Sequence, residues 1–513
     1  MAENDVSRRD FIKGLGAAGA VASVAAVFGQ ARKVATDPSS YAGWENRRGK
    51  VYFDRTRFEV DSPQSYEVVG KLKRRDTRAY DARARLRGHG NGEDAVSKAD
   101  AGDEFWTDYY KMDGVDGDGQ ARIDNDRGLR DEFWPPHAKL IEEGAERRTE
   151  FATTGEGFLA AVRNHPYRSF SFPRPNTPPA ESDWEGVSPV RAKFKTPELA
   201  NEWIKRVGAD YGATLTRVTD PNPAWFYANG LRGVADEDQV AFGEEFDLAP
   251  WWKYAIVVTR PMEFESLMSD PNFGNSHSGY NPSTYVAWHL AKAIKALGYP
   301  ARINAPMAGY DLFAVPFAVD AGFGELGRTC NCVSPDMGGN FRQSVVLTDM
   351  PLALDKAIDV GVFDFCAKCK ICAEYCQTDA ISYADEPNWE EAGVRRWDVN
   401  GFQCSTGWDE VSGKGDFPDD APGGALRGCR ACISVCPWFR RTNWLHDSVR
   451  QTVANDPTGL ADDVSLQFER AFYDRNTPDL WIPPEMKGVQ DPPDWLTTEN
   501  YIDSFSDTPL GES

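Results

Sequence analysis

The stretch "FCAKCKICAEYCQTDAI", residues 365–381, decides how the chain is read. Cys366, Cys369, Cys372 and Cys376 follow the spacing C-x2-C-x2-C-x3-C. Such a run wraps a cubane: three thiolates each bind one iron of a [4Fe–4S] cluster, and the fourth cysteine turns away toward a second cluster. A partial second run follows in "CRACISVCP", with Cys429, Cys432 and Cys436 before Pro437. Its missing first cysteine has one candidate nearby, Cys404 in "GFQCSTGW", separated from Cys429 by a long insertion. The cross-over rule then gives Cys366, Cys369, Cys372 and Cys436 to one cluster, and Cys376, Cys404, Cys429 and Cys432 to the other. Structural zinc would want two ligand pairs rather than a four-cysteine run with a trailing C-x3-C-P. Disulfides suit an exported chain, but C-x2-C-x2-C is poor disulfide geometry for a large enzyme. One departure from the pattern is that the first run ends Cys-Gln, where such runs usually end Cys-Pro.

The N-terminus reads "SRRDFIKGLGAAGAVASVAAVFGQA" from Ser7 to Ala31. Arg8 and Arg9 open a twin-arginine pattern, followed by a stretch too short and too rich in Gly and Ala to span a membrane. This predicts a cleaved signal peptide over residues 1–31. The twin-arginine route carries folded proteins, so cofactors can be inserted in the cytoplasm before export. The arginines and the cysteines therefore support one another.

The chain of 513 residues has room for two or three cored domains. Its formal charge of −22 argues against nucleic acid, whose phosphates it would repel, and fits solubility or a saline habitat. The loop "DGVDGDGQARIDND" (113–126) lacks the Gly and final Glu of a calcium loop and reads as solvated and acidic.

Residues 32–165 are polar and poorly periodic, a variable region. "RPNTPPAESDWEGVSP" (174–189) is a Pro-rich connection. In "TPELANEWIKRVGADYGA" Thr196 is the expected N-cap and Pro197 the first helical residue, with Leu199, Trp203 and Val207 on one face. "TLTRV" and "YAIVVT" read as buried strands, and "STYVAWHLAKAIKALGY" (283–299) as a second amphipathic helix. A glycine-rich turn and the strand in "FRQSVVLTDMPLALD" come next, then the cysteines. The tail beyond about residue 455 is expected to wrap the surface.

In order, the chain carries a twin-arginine signal, "GYNPSTYVAWHLAKAIKALGYPARIN", "AGFGELGR", "MGGNFRQSVVLTDMPLALDKAIDVGVFDFCAKCKICAEYC" and "CRACISVCPW". This resembles the corrinoid-dependent reductive dehalogenases over roughly residues 190–445, a span set by the quoted motifs. The resemblance implies an α+β fold: a nitroreductase-like α/β domain holding cobalamin (166–360), and a ferredoxin-like insert with two [4Fe–4S] clusters (361–445). A C-terminal tail (446–513) follows. The implied reaction is R–X + 2e⁻ + H⁺ → R–H + X⁻.

On the same resemblance, Tyr280 in "SGY" is the proton donor, and Asn304 orients substrate or tyrosine. A tyrosine with a pKa of about 10 is a useful acid only if its anion is stabilised, which a nearby cation does. Arg342 is the first choice for that cation and Arg328 the second. Gly327 and Arg328 of the glycine-rich turn are candidate cofactor-binding residues. None of the six histidines stands in a D-x-H-x-x-G pattern, so no histidine is expected to replace cobalamin's lower base. His277 and His289 read as surface or packing residues. Trp288, Trp408 and Trp438 are candidates to line an apolar pocket. Cys330 and Cys332, in "RTCNC", are expected to be free packing thiols.

The expected partners are a small organohalide, a small membrane-anchor protein and a membrane electron donor, with room for a homodimer and no nucleic acid. The expected location is the outer face of the cytoplasmic membrane, held peripherally. Two readings compete. An enzyme like epoxyqueuosine reductase would share the cobalamin domain and the clusters, but export, acidity and a Tyr in place of an Asp argue against it. A non-enzymatic iron–sulfur electron carrier would leave the large domain before the cysteines without a purpose. A third, an exported corrinoid reductase acting on something other than a halide, stays open.

Overall fold

The computed structural model describes residues 53–74, 179–228, 247–262, 264, 267, 273–306, 311–376, 380–399, 404, 431–440 and 444–473. The signal segment, the loop at 113–126, Trp408 and Cys429 lie outside the described residues. In chain order come β1 (Glu59–Val60), β2 (Glu67–Val68), α1 (Pro179–Trp184), α2 (Pro197–Asp210), β3 (Leu215–Thr219), β4 (Tyr254–Pro261), α3 (Phe273–Ala296) and β5 (Ala301–Asn304). Then follow α4 (Ala314–Asp320), β6 (Glu325–Leu326), β7 (Cys332–Val333), β8 (Phe341–Thr348), β9 (Ala357–Ile358), α5 (Val362–Cys369), α6 (Ile371–Glu374), β10 (Trp389–Glu391) and β11 (Val394–Arg396). The cysteine region closes with α7 (Ala431–Ser434), α8 (Trp444–Ala454) and α9 (Leu460–Tyr473).

The central sheet runs β3-β4-β8-β5, with every neighbouring pair antiparallel. Side chains alternate between its faces. Val218, Ile256, Val258 and Val346 face one side and pack with Ile204 of α2 and Val286, Leu290 and Ile294 of α3. Val257, Val345 and Leu347 face the other and pack with Phe317 of α4 and with Phe226 and Trp252. The result is a mixed α/β domain with helices on both faces.

The α2 cap is as expected: the Thr196 hydroxyl accepts the Leu199 N–H at 3.3 Å, and Pro197 occupies the first turn. Its buried stripe differs in part. Ala200, Asn201, Ile204 and Gly208 go inside, and Leu199 is 45% exposed. Small residues face inward because the sheet lies close: a methyl group on Gly208 would stand 2.3 Å from the Thr216 hydroxyl oxygen. Apolarity alone marked the neighbouring stripe.

Helix α3 starts at Phe273, ten residues before the start that periodicity suggested, and it runs through Pro282. Proline removes one backbone donor. The Ser283 and Thr284 hydroxyls also donate to the Tyr280 carbonyl, at 3.1 and 2.8 Å. Tyr280 is thereby fixed on a helix.

Part of the polar N-terminal region is also structured. Strand β1 pairs with β9, and β2 adds to the β10-β11 hairpin. Arg55 is buried, with its guanidinium donating to the Gly322 and Phe323 carbonyls at 3.0 and 3.1 Å. The C-terminal tail contributes α8 and α9; Val449, Ala454, Ala461 and Leu466 pack against the cysteine region's core.

Candidate active site

Arg342 stands on β8 and Tyr280 on α3, 62 positions apart in sequence. The Arg342 guanidinium carbon lies 5.1 Å from the centre of the Tyr280 ring, a cation–π contact. Gly279 makes the approach possible: a methyl group there would meet the Arg342 side chain at 3.0 Å and Met262 at 3.1 Å. The Arg342 guanidinium also donates to the Phe341 carbonyl at 3.1 Å. Met262 then links this corner to the cysteines, since it packs with Ile433, Phe439, Cys432 and Cys436 in one apolar cluster.

Asn304 is placed differently. It ends β5 opposite Val345, while Arg342 is three positions further along β8. Alternation therefore sets Asn304 on the opposite face from Arg342 and α3. It is completely buried. Its side-chain oxygen accepts the Asp311 N–H at 2.7 Å, and its amide nitrogen has no hydrogen-bond partner. The Asp311 carboxylate is in turn gripped by Arg302 through two hydrogen bonds, at 2.6 and 3.2 Å. A buried, rigidly oriented donor without an acceptor is costly unless a ligand supplies one.

The described cysteines of the two runs gather in adjoining apolar clusters. Cys366, Cys369 and Cys436 share one apolar cluster with Val333, Val362, Phe365, Ile371 and Trp438. Cys372 is electrostatically coupled to all three. Cys372, Cys376, Cys404 and Cys432 share a second cluster with Ala380, Ile381 and Tyr383, and Cys432 also packs with Cys436. Cys429 lies outside the described residues. Among the described residues, no three His, Cys, Asp or Glu side chains are close enough to hold a metal ion; the thiols are neighbours, not a closed ligand set. Burial pushes the Cys366, Cys369 and Cys372 thiols up, and Cys436 up to about 12. Thiols buried in this way stay protonated unless iron displaces the proton. Thiol-rich, apolar surroundings of this kind can accommodate iron–sulfur clusters.

The backbone serves the same arrangement. Lys370 takes a left-handed conformation with φ of 57° between α5 and α6, so the chain reverses between Cys369 and Cys372. The Ala380 N–H donates to the Cys376 sulfur at 3.2 Å.

The glycine-rich turn goes to the cysteines and not to Tyr280. The Glu325 carboxylate accepts the N–H groups of Val360, Val362 and Phe363, at 2.7, 3.0 and 3.3 Å, at the start of α5. Burial pushes its pKa up to about 7. Arg328 is 1% exposed and donates to the carbonyls of Cys366, Ser382 and Ala384, at 2.8, 2.7 and 2.7 Å. Gly327 lies against the same loop: a methyl group there would stand 2.8 Å from Val333 and 3.7 Å from the Cys366 sulfur. Sequence reasoning missed Glu325 as a helix cap because it is some 35 positions from the helix it caps, well beyond the reach of any local capping pattern.

The remaining candidates fall into packing roles. His289 stacks on Tyr211 at 4.5 Å and meets Tyr285 and Trp288 edge-on; burial, then Lys292, lowers its pKa. The His277 side chain lies outside the described residues. Lys292 sits 3.7 Å over the Trp288 ring, and Trp438 is buried edge-on to Phe365. Cys330 and Cys332 are free thiols.

Among known proteins the chain is similar to reductive dehalogenases. It is 27% identical over 316 residues to the tetrachloroethene reductive dehalogenase of Sulfurospirillum multivorans, covering 55% of this chain and 59% of that one. It is 30% identical over 211 residues to the trichloroethene reductive dehalogenase of Dehalococcoides mccartyi, covering 37% and 33%. Among solved structures it shares the fold of a reductive dehalogenase described in terms of B12-dependent dehalogenation, with a TM-score of 0.51, 18% identity, and coverage of 81% of this chain and 49% of that one. The chain thus spans between a third and three-fifths of the length of these relatives. Residues 5–25 match the TAT (twin-arginine translocation) pathway signal sequence, which supports export by that route. No helix among the described residues is long and apolar enough to cross a membrane.

Proposed function

We propose that the chain is a cobalamin-dependent reductive dehalogenase, replacing the halogen of an organohalide by hydrogen with electrons relayed through two [4Fe–4S] clusters. The observation that carries this reading is the Tyr280–Arg342 pair, joined through Met262 to Cys432 and Cys436. A proton donor and an electron entry point at one corner are what R–X + 2e⁻ + H⁺ → R–H + X⁻ requires. The central sheet with its flanking helices is read as the nitroreductase-like cobalamin domain, and the cysteine region as the ferredoxin-like insert.

Cobalamin, when bound, supplies low-valent cobalt able to take the halogen from carbon. The chain's own residues do the rest. Tyr280 delivers the proton from its hydroxyl, and the Arg342 charge over its ring stabilises the anion left behind. The unpartnered amide of Asn304 is the donor offered to a bound ligand. Cys366, Cys369, Cys372 and Cys436 would hold one cluster; Cys376, Cys404, Cys429 and Cys432 would hold the other. The twin-arginine signal supports action beyond the cytoplasmic membrane, held peripherally there through a small anchor protein and fed by a membrane electron donor.

The test is anaerobic halide release from chlorinated and brominated alkenes and phenols with a reduced viologen, with cobalt and iron counted in the purified protein. Cobalt with halide release supports the proposal. Iron without cobalt would leave an electron carrier. Cobalt without halide release from any of them would point to a corrinoid reductase of another substrate.

A further inference from the structure

Arg328 is a buried cation with no ion-pair partner among the described residues. Its guanidinium is spent on main-chain carbonyls: Cys366 by two nitrogens at 2.8 and 3.2 Å, Ala367 at 3.3 Å, and Ser382 and Ala384 at 2.7 Å each. One face is covered by Trp397, whose ring centre is 4.7 Å from the guanidinium carbon. No carboxylate among the described residues forms an ion pair with it. The nearest in influence, Asp385, has an 84% exposed side chain and is paired with Lys370. Glu325, the other charged residue of the same turn, is committed to three backbone N–H groups.

Burying an arginine without a counter-charge costs several kcal/mol, and carbonyl dipoles recover only part of it. It lies instead beside the cluster cysteines: its guanidinium holds the Cys366 carbonyl at 2.8 and 3.2 Å, and a methyl group on the adjoining Gly327 would stand 3.7 Å from the Cys366 sulfur. Four thiolates outweigh the positive charge of a [4Fe–4S] core, so an assembled cluster is a net anion. We infer that Arg328 is the counter-cation of the cluster held by Cys366, Cys369, Cys372 and Cys436, and that it raises that cluster's reduction potential.

The inference rests on the iron–sulfur part of the function proposed above. On reduction one electron enters the cubane and its net charge becomes more negative by one unit. A fixed cation at the ligand loop lowers the cost of that added charge, and net charge and local polarity set such potentials. The Trp397 lid and the carbonyl grips keep the cation from swinging into solvent, where screening would erase its influence.

The experiment uses the full chain, purified without oxygen, as wild type, Arg328→Gln and Arg328→Lys. Iron is counted, and both clusters are followed by electron paramagnetic resonance during a redox titration. In Arg328→Gln the midpoint of one cluster should fall by at least about 59 mV, a tenfold change in its reduction equilibrium, while the other stays in place. Arg328→Lys, which keeps the charge, should shift it far less. Unchanged midpoints in Arg328→Gln, or equal shifts in both variants, would overturn the inference.

If Arg328→Gln does not hold the cluster, iron retention decides. A lysine variant keeping about four irons that the glutamine variant loses supports a role for charge. Equal loss in both assigns Arg328 to hydrogen bonding alone and overturns the inference. A wild type without iron ends the cluster reading itself. A wild type with iron that releases no halide ends only the dehalogenase reading, and the midpoints still test Arg328.

Discussion

If Tyr280 delivers the proton as proposed, removing the Arg342 charge should weaken it as an acid. The guanidinium carbon stands 5.1 Å from the Tyr280 ring centre, and two unit charges roughly 5–8 Å apart at an effective dielectric of about 20 interact by about 2–3 kcal/mol. Both side chains are half-buried, and solvent screening reduces this to roughly 1–2 kcal/mol. That is about one pH unit of tyrosine acidity. Arg342→Leu should therefore raise the Tyr280 pKa by about one unit and lower the plateau of turnover about tenfold. The sign on the pH axis follows: the acid works while protonated, so the alkaline fall in kcat/KM should move upward by about one unit. Arg342→Lys should lie between the two, and Tyr280→Phe should lose roughly a hundredfold or more. Halide release across a pH series, with cobalt and iron counted in each variant, is the assay. A leucine variant with a normal plateau and an unmoved alkaline limb would refute the pairing as a functional device.

Protein isolated without oxygen should carry about eight irons, and Cys369→Ser should lose one cluster and turnover; two bound zincs and no iron would end the cubane reading. Asp320 accepts hydrogen bonds from Trp225 and Tyr66, yet burial pushes its pKa up to about 6. Since its folded pKa is raised, its contribution to stability is complete at low pH and is lost as pH rises from about 4 to 6. Thermal melting across that window should show the decline in wild type and a flatter profile in Asp320→Asn. Replacing Arg8 and Arg9 together with lysine should leave the precursor inside the cell with its signal uncleaved, as fractionation and immunoblotting would register. A methyl group on Gly322, where φ is +76°, would stand 2.1 Å from the Lys356 carbonyl oxygen. Gly322→Ala should thus lower the melting temperature by well over 5 °C, from strain exceeding about 2 kcal/mol.

Much of this protein is legible in the chain itself. Ligand spacing is a local property: whether four cysteines can wrap a cubane depends on how many residues part them, so the runs at 366–376 and 429–436 could be read directly. The twin arginines, the Thr196-Pro197 helix start and the buried strands are local in the same sense, because caps and periodicities are set within a turn or two. What failed locally did so for a tertiary reason. The face of α2 was read only in part: Trp203 and Val207 do pack against the core, but closeness to Thr216 also brought Ala200 and Gly208 inside while Leu199 stays exposed. The start of α3 was missed because packing sustains a helix through Pro282.

The two arginines divide what the sequence determined from what the tertiary structure decided. In the chain, Arg342 is the first candidate for the cation beside Tyr280 and Arg328 the second, each following glycines. Strand register separates them. β8 turns Arg342 toward α3, where Gly279 leaves room for it, while the turn after β6 sends Arg328 under Trp397 to the carbonyls around Cys366. Residue type and spacing determined which chemistry the chain can hold. Pairing across tens of residues, which places side chains on one face or the other, decided which cation lies over the Tyr280 ring and which lies beside the cysteines.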